Sequence, residues 1–494
     1  MVATKFSLVV ALAAVATATA SASVPRVDTG VHRTLRQEGT VNLIVTMKQS
    51  TQEALASVQE AEYSSRGARI EALVSRLEKH ATLSQKDINQ LVSQEATTAS
   101  GNPLFASSTS YWISNQVSFK GTTPALLDKL MALPSIAEIR EERVLQLDPL
   151  IMSASNSTTG NVQPEWGINM IKAPEVWATG NKGEGIVVGG IDTGVHGTHE
   201  ALKGNFRGEY GWFDPQKKGK TPYDESGHGT HTMGTIAGAN GIGVAPGVTW
   251  MACKGCDDIC SESDLLACAQ FMTCPTDVDG NNRNCSKAPV IVNNSWGGRQ
   301  GDPFYEAAVD AWHAAGIIPI FSVGNTGPDC GTVSSPGDYD SVIGVGATTI
   351  TDSLGDFSSK GPGVLGTSKP DLSAPGQDIR SAWSSGDDAY ETTSGTSMAA
   401  PHVTGIVALL MKAKLGLTYS QVKEILLASV DNEKLKPSGL TCGDKPDGVF
   451  PNNGYGQGRS NAMKMLNMTM EVTPAPSTKA PAPTSSSPIP ASSH

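Results

Sequence analysis

The chain has no excess of basic residues. Its 37 Lys and Arg stand against 48 Asp and Glu, for a net charge of −11 and a pI near 5.3. With no Lys/Arg cluster either, a phosphate backbone finds no electrostatic footprint, and nucleic acid is excluded as a partner. Past its opening residues no apolar run is long enough to cross a bilayer, so no membrane partner is expected. Cysteine is absent before Cys253. The Asp192-Thr193-Gly194 triplet has its one counterpart, Asp28-Thr29-Gly30, far outside residues 165–470, so that segment holds no second Asp-Thr-Gly or Asp-Ser-Gly for chemistry run by two facing aspartates. His228 and His231 lack the intervening Glu of a zinc-hydrolase helix, so they predict no metal site.

What is present exceeds one domain at 494 residues. Residues 1–22 carry one Lys, a Leu/Val/Ala-rich run and Ala-x-Ala steps at Ala18 and Ala20, the pattern of a signal peptide. Residues 23–148 differ in character, with mixed charge, no cysteine and few glycines. Their pattern predicts a strand at 41–45, helix over 52–80, a strand at 112–119, helix at 124–133, and strands at 136–139 and 144–147. That order suggests a small α+β sandwich of ferredoxin-like type. Residues 149–164 include a Ser/Thr/Asn-rich stretch expected to be an exposed, cleavable linker. A large segment fills 165–470, and the Pro/Ser/Thr-rich residues 471–494 are expected to be disordered.

Three windows in the large segment carry chemistry. In Thr393-Ser394-Gly395-Thr396-Ser397-Met398-Ala399-Ala400-Pro401-His402 a Gly-rich turn delivers Ser397 to the start of an apolar helix. Unsatisfied N–H groups and the positive end of the helix dipole suit a nucleophile whose reaction creates an oxyanion. In Gly185-Ile186-Val187-Val188-Gly189-Gly190-Ile191-Asp192-Thr193-Gly194 a buried-strand pattern ends in an acid. In Gly227-His228-Gly229-Thr230-His231 a histidine opens a glycine-tolerant helix among residues too small to block it. Spacing alone does not separate His228 from His231. A serine hydroxyl needs a base to take its proton, and imidazole titrates in the useful range. An α/β-hydrolase is excluded, because Gly395-Thr396-Ser397-Met398-Ala399 ends in alanine and only His402 and His494 follow the serine.

Those three windows, in the order Asp, His, Ser, resemble the motifs of the subtilase family of serine endopeptidases nearly letter for letter, over about residues 165–465. The resemblance implies a doubly wound parallel-sheet α/β catalytic domain, with Asp192, His228 and Ser397 as the catalytic triad. Phe321-Ser322-Val323-Gly324-Asn325-Thr326-Gly327 resembles the family's oxyanion-hole motif and implies Asn325 as a donor. Asn293-Asn294-Ser295-Trp296-Gly297-Gly298 implies a substrate-pairing segment at Ser295, Trp296 and Gly297. Ser322, Val323 and Gly324 would form the opposite pocket wall, and Ser334, Ser335 and Pro336 its floor. Trp296 departs from the leucine expected there. With Ala311-Trp312 and Ala315-Gly316, this run is similar to the bacillopeptidase F-like branch. Residues 23–148 would then be an inhibitory propeptide cleaved by the enzyme itself within 149–164, its C-terminal strand lying across Ser295–Gly297. Partners would be protein or peptide substrates and the chain's own propeptide.

All eight cysteines, Cys253, Cys256, Cys260, Cys268, Cys274, Cys285, Cys330 and Cys442, lie in the large segment. An even number behind a signal peptide implies disulfides, although eight allow 105 pairings. Six crowd into 253–285, so parity leaves Cys330 and Cys442 as a long-range pair. Glycosylation sequons stand at Asn156, Asn284 and Asn467, and a fourth at Asn293 is expected to stay unmodified within its strand. No cofactor is required. Structural calcium lacks a clear motif, since Ala239–Pro246 is tighter than the family's calcium loop. Two functions fit: a secreted, extracellular endopeptidase made as a zymogen, and a catalytically silent subtilase-like binding protein. Intact Asp192, His228, Asn325 and Ser397 favour the first.

Overall fold

The computed structural model describes residues 24–59, 62–97, 103–147, 151–152, 163–257 and 259–471. The expected signal peptide, the C-terminal tail and Asn156 lie outside the described residues, as does most of the linker. The chain divides into two units.

The first unit comprises residues 1–50, 80–110 and 115–142. Its five-stranded sheet runs Arg26–Val27, Ile136–Glu141, Val41–Met47, Gln116–Thr122, Ser107–Tyr111. Without the short first strand this is the ferredoxin-like order, with Val41–Met47 antiparallel to both neighbours. Leu43, Val45, Phe119 and Ile139 from the sheet and Leu126, Leu127 and Leu130 from helix Pro124–Met131 close its core. Of the expected strand 112–119 only 116–119 is strand, within Gln116–Thr122, and the preceding strand ends at Tyr111. Asn115 takes a left-handed φ of 51° in the turn between them, and residues 111–114 group with the second unit. There the Trp112 amide donates to Gln270 Oε1 at 2.8 Å. Residues 51–79 and 143–147 also group with the second unit, so 23–148 is not one structural module.

The second unit is built on a parallel sheet of seven strands: β1 (Val187–Asp192), β2 (Trp212–Phe213), β3 (Thr249–Lys254), β4 (Ile291–Asn294), β5 (Ile318–Ser322), β6 (Ile343–Thr348) and β7 (Leu372–Pro375). Their order is β7-β6-β5-β4-β1-β3-β2, all neighbours parallel. Alternate residues feed opposite faces. Ile291 and Ile320 enter one core, Val292 and Phe321 the other. Helices α1 (His228–Ala237) and α4 (Thr396–Ala413) cover the first face, and α2 (Glu262–Thr273) and α3 (Glu306–Ala315) the second. Strand order reverses between β1 and β4, so their C-terminal ends open the crevice where sheets of this kind bind ligands.

Four disulfides join Cys253 to Cys268, Cys256 to Cys260, Cys274 to Cys285 and Cys330 to Cys442, and no described cysteine is free. The last closes a separation of 112 residues, so it removes most entropy from the unfolded chain. Alkylation of the unreduced protein is therefore expected to label no thiol. Replacing Cys330 and Cys442 together by serine is expected to cost about 2–4 kcal/mol of stability in urea unfolding. An unchanged midpoint would refute that contribution.

Candidate active site

Asp192 closes β1 at the sheet's reversal point and is buried. Its Oδ1 accepts from the Thr193 amide at 2.8 Å and meets His228 Nδ1 at 2.6 Å; its Oδ2 accepts from Thr232 Oγ1 at 3.3 Å. His228 opens α1, brought there by a turn in which Gly227 has φ 96°. The helix start presses so closely on the end of β1 that a Cβ at Gly229 would sit 2.1 Å from the Gly194 carbonyl oxygen. Only glycine permits that approach, and with it the contact between Asp192 and His228.

Asp224 was not singled out from the sequence, yet it ties these two elements together. Its buried carboxylate accepts from Thr193 Oγ1, the amides of Ser226, Gly227 and Thr230, and Thr230 Oγ1, at 2.6–3.1 Å. An acid a few residues before a helix start is a capping signal, and that was the available clue. Lys254, fully buried at the end of β3, holds the same strand end from behind. Its ammonium donates to the carbonyls of Thr193 and Cys256 at 2.9 and 3.1 Å and pairs with Asp257.

Ser397 is the second residue of α4, after the extended Gly395. Pro401, four residues on, has no N–H to give the Ser397 carbonyl. Ser295 Oγ takes that place and donates to it at 3.0 Å, while Ser397 Oγ donates to the Ser295 carbonyl at 3.3 Å. The segment expected to line a groove thus also holds the serine. Asn325 follows β5, and its Oδ1 accepts from the Thr396 amide and Thr396 Oγ1, both at 2.8 Å. With the oxygen committed, the side-chain NH2 turns away from Thr396.

The two segments expected to form pocket walls both press closely on Ser334, in the expected floor. A Cβ on Gly297 would lie 2.8 Å from Ser334 Oγ, and one on Gly324 2.6 Å from the same atom. Gly324 has φ 104°, its amide donates to Thr396 Oγ1 at 3.2 Å, and Ser334 Oγ donates to the Val323 carbonyl at 3.1 Å. Ser322 is buried at the end of β5. Trp296, expected within the substrate-pairing segment, turns its side chain into the core. Its indole is buried among Phe304, Tyr305 and Phe321 and donates to the Ile191 carbonyl at 3.1 Å, because a ring of that size finds room only in the core. Asn293 is buried too, bonded to Ser295 Oγ and Thr404 Oγ1.

The expected placement of the strand 144–147 is corrected. Val144–Gln146 pairs antiparallel with Ile259–Ser261, not with Ser295–Gly297. Leu145 nonetheless reaches the other side, where a Cβ on Gly298 would lie 3.1 Å from its side chain. Ile151–Met152, within the expected linker, pairs with Thr393–Ser394 just before Ser397.

The second histidine of the motif is distinct from the first. His231 is fully buried, bonds the Ile379 carbonyl at 2.9 Å, and burial pushes its pKa down to about 3. His402, whose Nδ1 donates to the Met398 carbonyl at 2.8 Å, is likewise pushed by burial to about 4. Both are neutral when folded, and each would titrate near 6.5 in the unfolded chain. Above that pH neither state takes up the proton, and the stabilisation is complete. Below it the unfolded chain gains protons the folded one refuses, so stability falls by about 1.4 kcal/mol per pH unit per imidazole until the folded pKa is reached. His402→Asn, which keeps a donor, is expected to flatten urea midpoints between pH 6.5 and 4. Parallel curves for parent and variant would disprove it.

A sequence profile of the subtilase family matches residues 183–458. Among curated proteins, the chain is 35% identical over 440 residues to "Bacillopeptidase F" of Bacillus subtilis (strain 168), covering 83% of this chain and 29% of that protein. It is 33% identical to "Subtilisin DY" of Bacillus licheniformis, over 54% of this chain and 91% of the relative. It is 34% identical to "Extracellular serine proteinase" of Thermus sp. (strain Rt41A), over 56% and 63% respectively.

Proposed function

This chain belongs to the subtilase family, and from that premise we propose that it is an active serine endopeptidase, made as a zymogen and secreted. The observation that carries the reading is the buried 2.6 Å contact between Asp192 and His228, at the sheet reversal where α4 also begins. With Nδ1–H given to Asp192, the His228 Nε2 is the acceptor. It takes the Ser397 proton as Oγ attacks the scissile carbonyl, then returns it to the leaving amine. Asp192 holds the tautomer and stabilises the imidazolium. The Ser397 amide and the Asn325 NH2 receive the oxyanion, and water then clears the acyl-enzyme with His228 again as base.

Substrate would enter as an added strand along Ile259–Ser261, the position Val144–Gln146 takes, with its reactive residue between Ser295–Gly297 and Ser322–Gly324. Main-chain pairing suits protein and peptide substrates of varied sequence. Because the occupying strand belongs to the same chain, the precursor would be self-inhibited until cleavage. Four disulfides support an oxidising destination. No helix among the described residues is long and apolar enough to cross a membrane. The test is a fluorophosphonate probe on processed protein, which is expected to label Ser397 and nothing else in peptide mapping. Folded protein that resists the probe would sink the reading.

A further inference from the structure

Next to the strand that fills the groove lies an ion pair with no evident part in the reaction. Arg143 directly precedes Val144–Gln146 and continues its pairing. Its amide donates to Glu262 Oε2 at 2.9 Å, and its carbonyl accepts from the Glu262 amide at 3.3 Å. Its guanidinium pairs with Asp302. Glu262 is fully buried at the start of α2, and Asp302 is 9% exposed.

Asp302 is fixed in place. Its amide donates to Ser335 Oγ at 2.9 Å, its Oδ1 accepts from the Phe304 amide at 3.3 Å, and Tyr339 OH donates to its carbonyl. That links it to the same 334–335 segment that faces Gly297 and Gly324. Beyond it, Gly301, Glu306, Asp338 and Asp340 line a cavity of about 370 Å³ with no basic side chain in its wall. Burial, with Asp310 and Asp338 nearby, raises the Glu306 carboxyl above its ordinary range. When the strand departs, Arg143 departs with it: Asp302 loses its guanidinium partner and Glu262 a backbone donor. A basic substrate side chain in the same place restores the charge-assisted pair with Asp302.

We propose that Asp302, beside the strand position whose backbone Glu262 holds, forms an acidic subsite that selects arginine or lysine in the substrate, two residues before the one that takes the place of Leu145. This rests on the reading that Val144–Gln146 lies as a substrate strand does. Arginine should be preferred over lysine, since its fork reaches Asp302 while the backbone stays paired with Glu262.

The test uses enzyme matured from the full chain, with casein cleavage as the readout and peptides copying residues 141–148 as competitors. The peptide with Arg143→Gln is expected to show a Ki roughly three- to tenfold higher than the parent. Against Asp302→Asn enzyme that ratio should collapse towards one, and Asp302→Lys enzyme should prefer the Arg143→Glu peptide. If the parent competes and Arg143→Gln competes equally, the subsite is overturned while the groove reading stands. If Leu145→Ser, Arg143→Gln and parent peptides all fail to compete, the groove reading falls and takes the subsite with it.

Discussion

Ser397→Ala is expected to lower kcat by about six orders of magnitude and to leave the precursor uncut between residues 149 and 164. The size follows from what the hydroxyl does in both halves of the reaction. Without Oγ there is no acyl-enzyme, and His228 has no proton to move. The fold should be untouched, because the contact that anchors the helix start uses the Ser397 carbonyl, which alanine keeps for Ser295 Oγ. The precursor band on a gel and the near-ultraviolet circular dichroism of the variant check both halves. Processing at the normal site in the absence of other proteases would refute self-cleavage. Residual hydrolysis above the uncatalysed rate is expected, since groove and oxyanion donors remain.

Asn325→Ala is expected to cut kcat by about two to three orders of magnitude with little change in KM. The Asn325 oxygen is doubly committed to Thr396, so the NH2 is oriented before any substrate arrives and loses no freedom as charge develops. Thr396→Val removes the hydroxyl contacts with Asn325 and Gly324 but leaves the amide one to Asn325, so it should cost less. A double variant, Ser397→Ala with Asn325→Ala, should fall below Ser397→Ala alone, because the residual hydrolysis of the single variant still draws on the oxyanion donors. A rise confined to KM would instead make Asn325 a wall of the pocket.

The parts of the site legible in the sequence are those written within one local window. A strand pattern closing on Asp192, a helix opening at His228 and a turn delivering Ser397 each announce themselves in about ten residues. The choice between His228 and His231 does not, because both share a helix and only the tertiary contact with Asp192 tells them apart. The crossed bonds between Ser295 and Ser397 join residues 102 apart, and no local pattern records them. Asp224 reads locally as a helix cap, although its bond to Thr193 makes it the tie between two elements. The ferredoxin-like order of the first unit was readable from its succession of strands and helices. The departure of residues 51–79 and 111–114 to the second unit was not, since amphipathic segments do not declare which core they join. Likewise, 144–146 carries the alternation of a strand but no mark of its partner, which proved to be Ile259–Ser261.

The Cys256–Cys260 bridge has a consequence for how the processed protein behaves in concentrated solution. Release of Val144–Gln146, as proposed, would open the edge of Ile259–Ser261 that this strand now covers, and such an open border invites pairing with any extended chain, including another copy. Here the border is three residues long. The bridge stops it on one side, and the Ser261 cap, whose side chain accepts from the Asp264 amide, turns the chain into a helix on the other. On the proposed function, three residues would hold one passing peptide in register while it is cut. They are too few to seed a growing sheet, so the surface that must stay sticky for substrates does not become a nucleus for self-assembly.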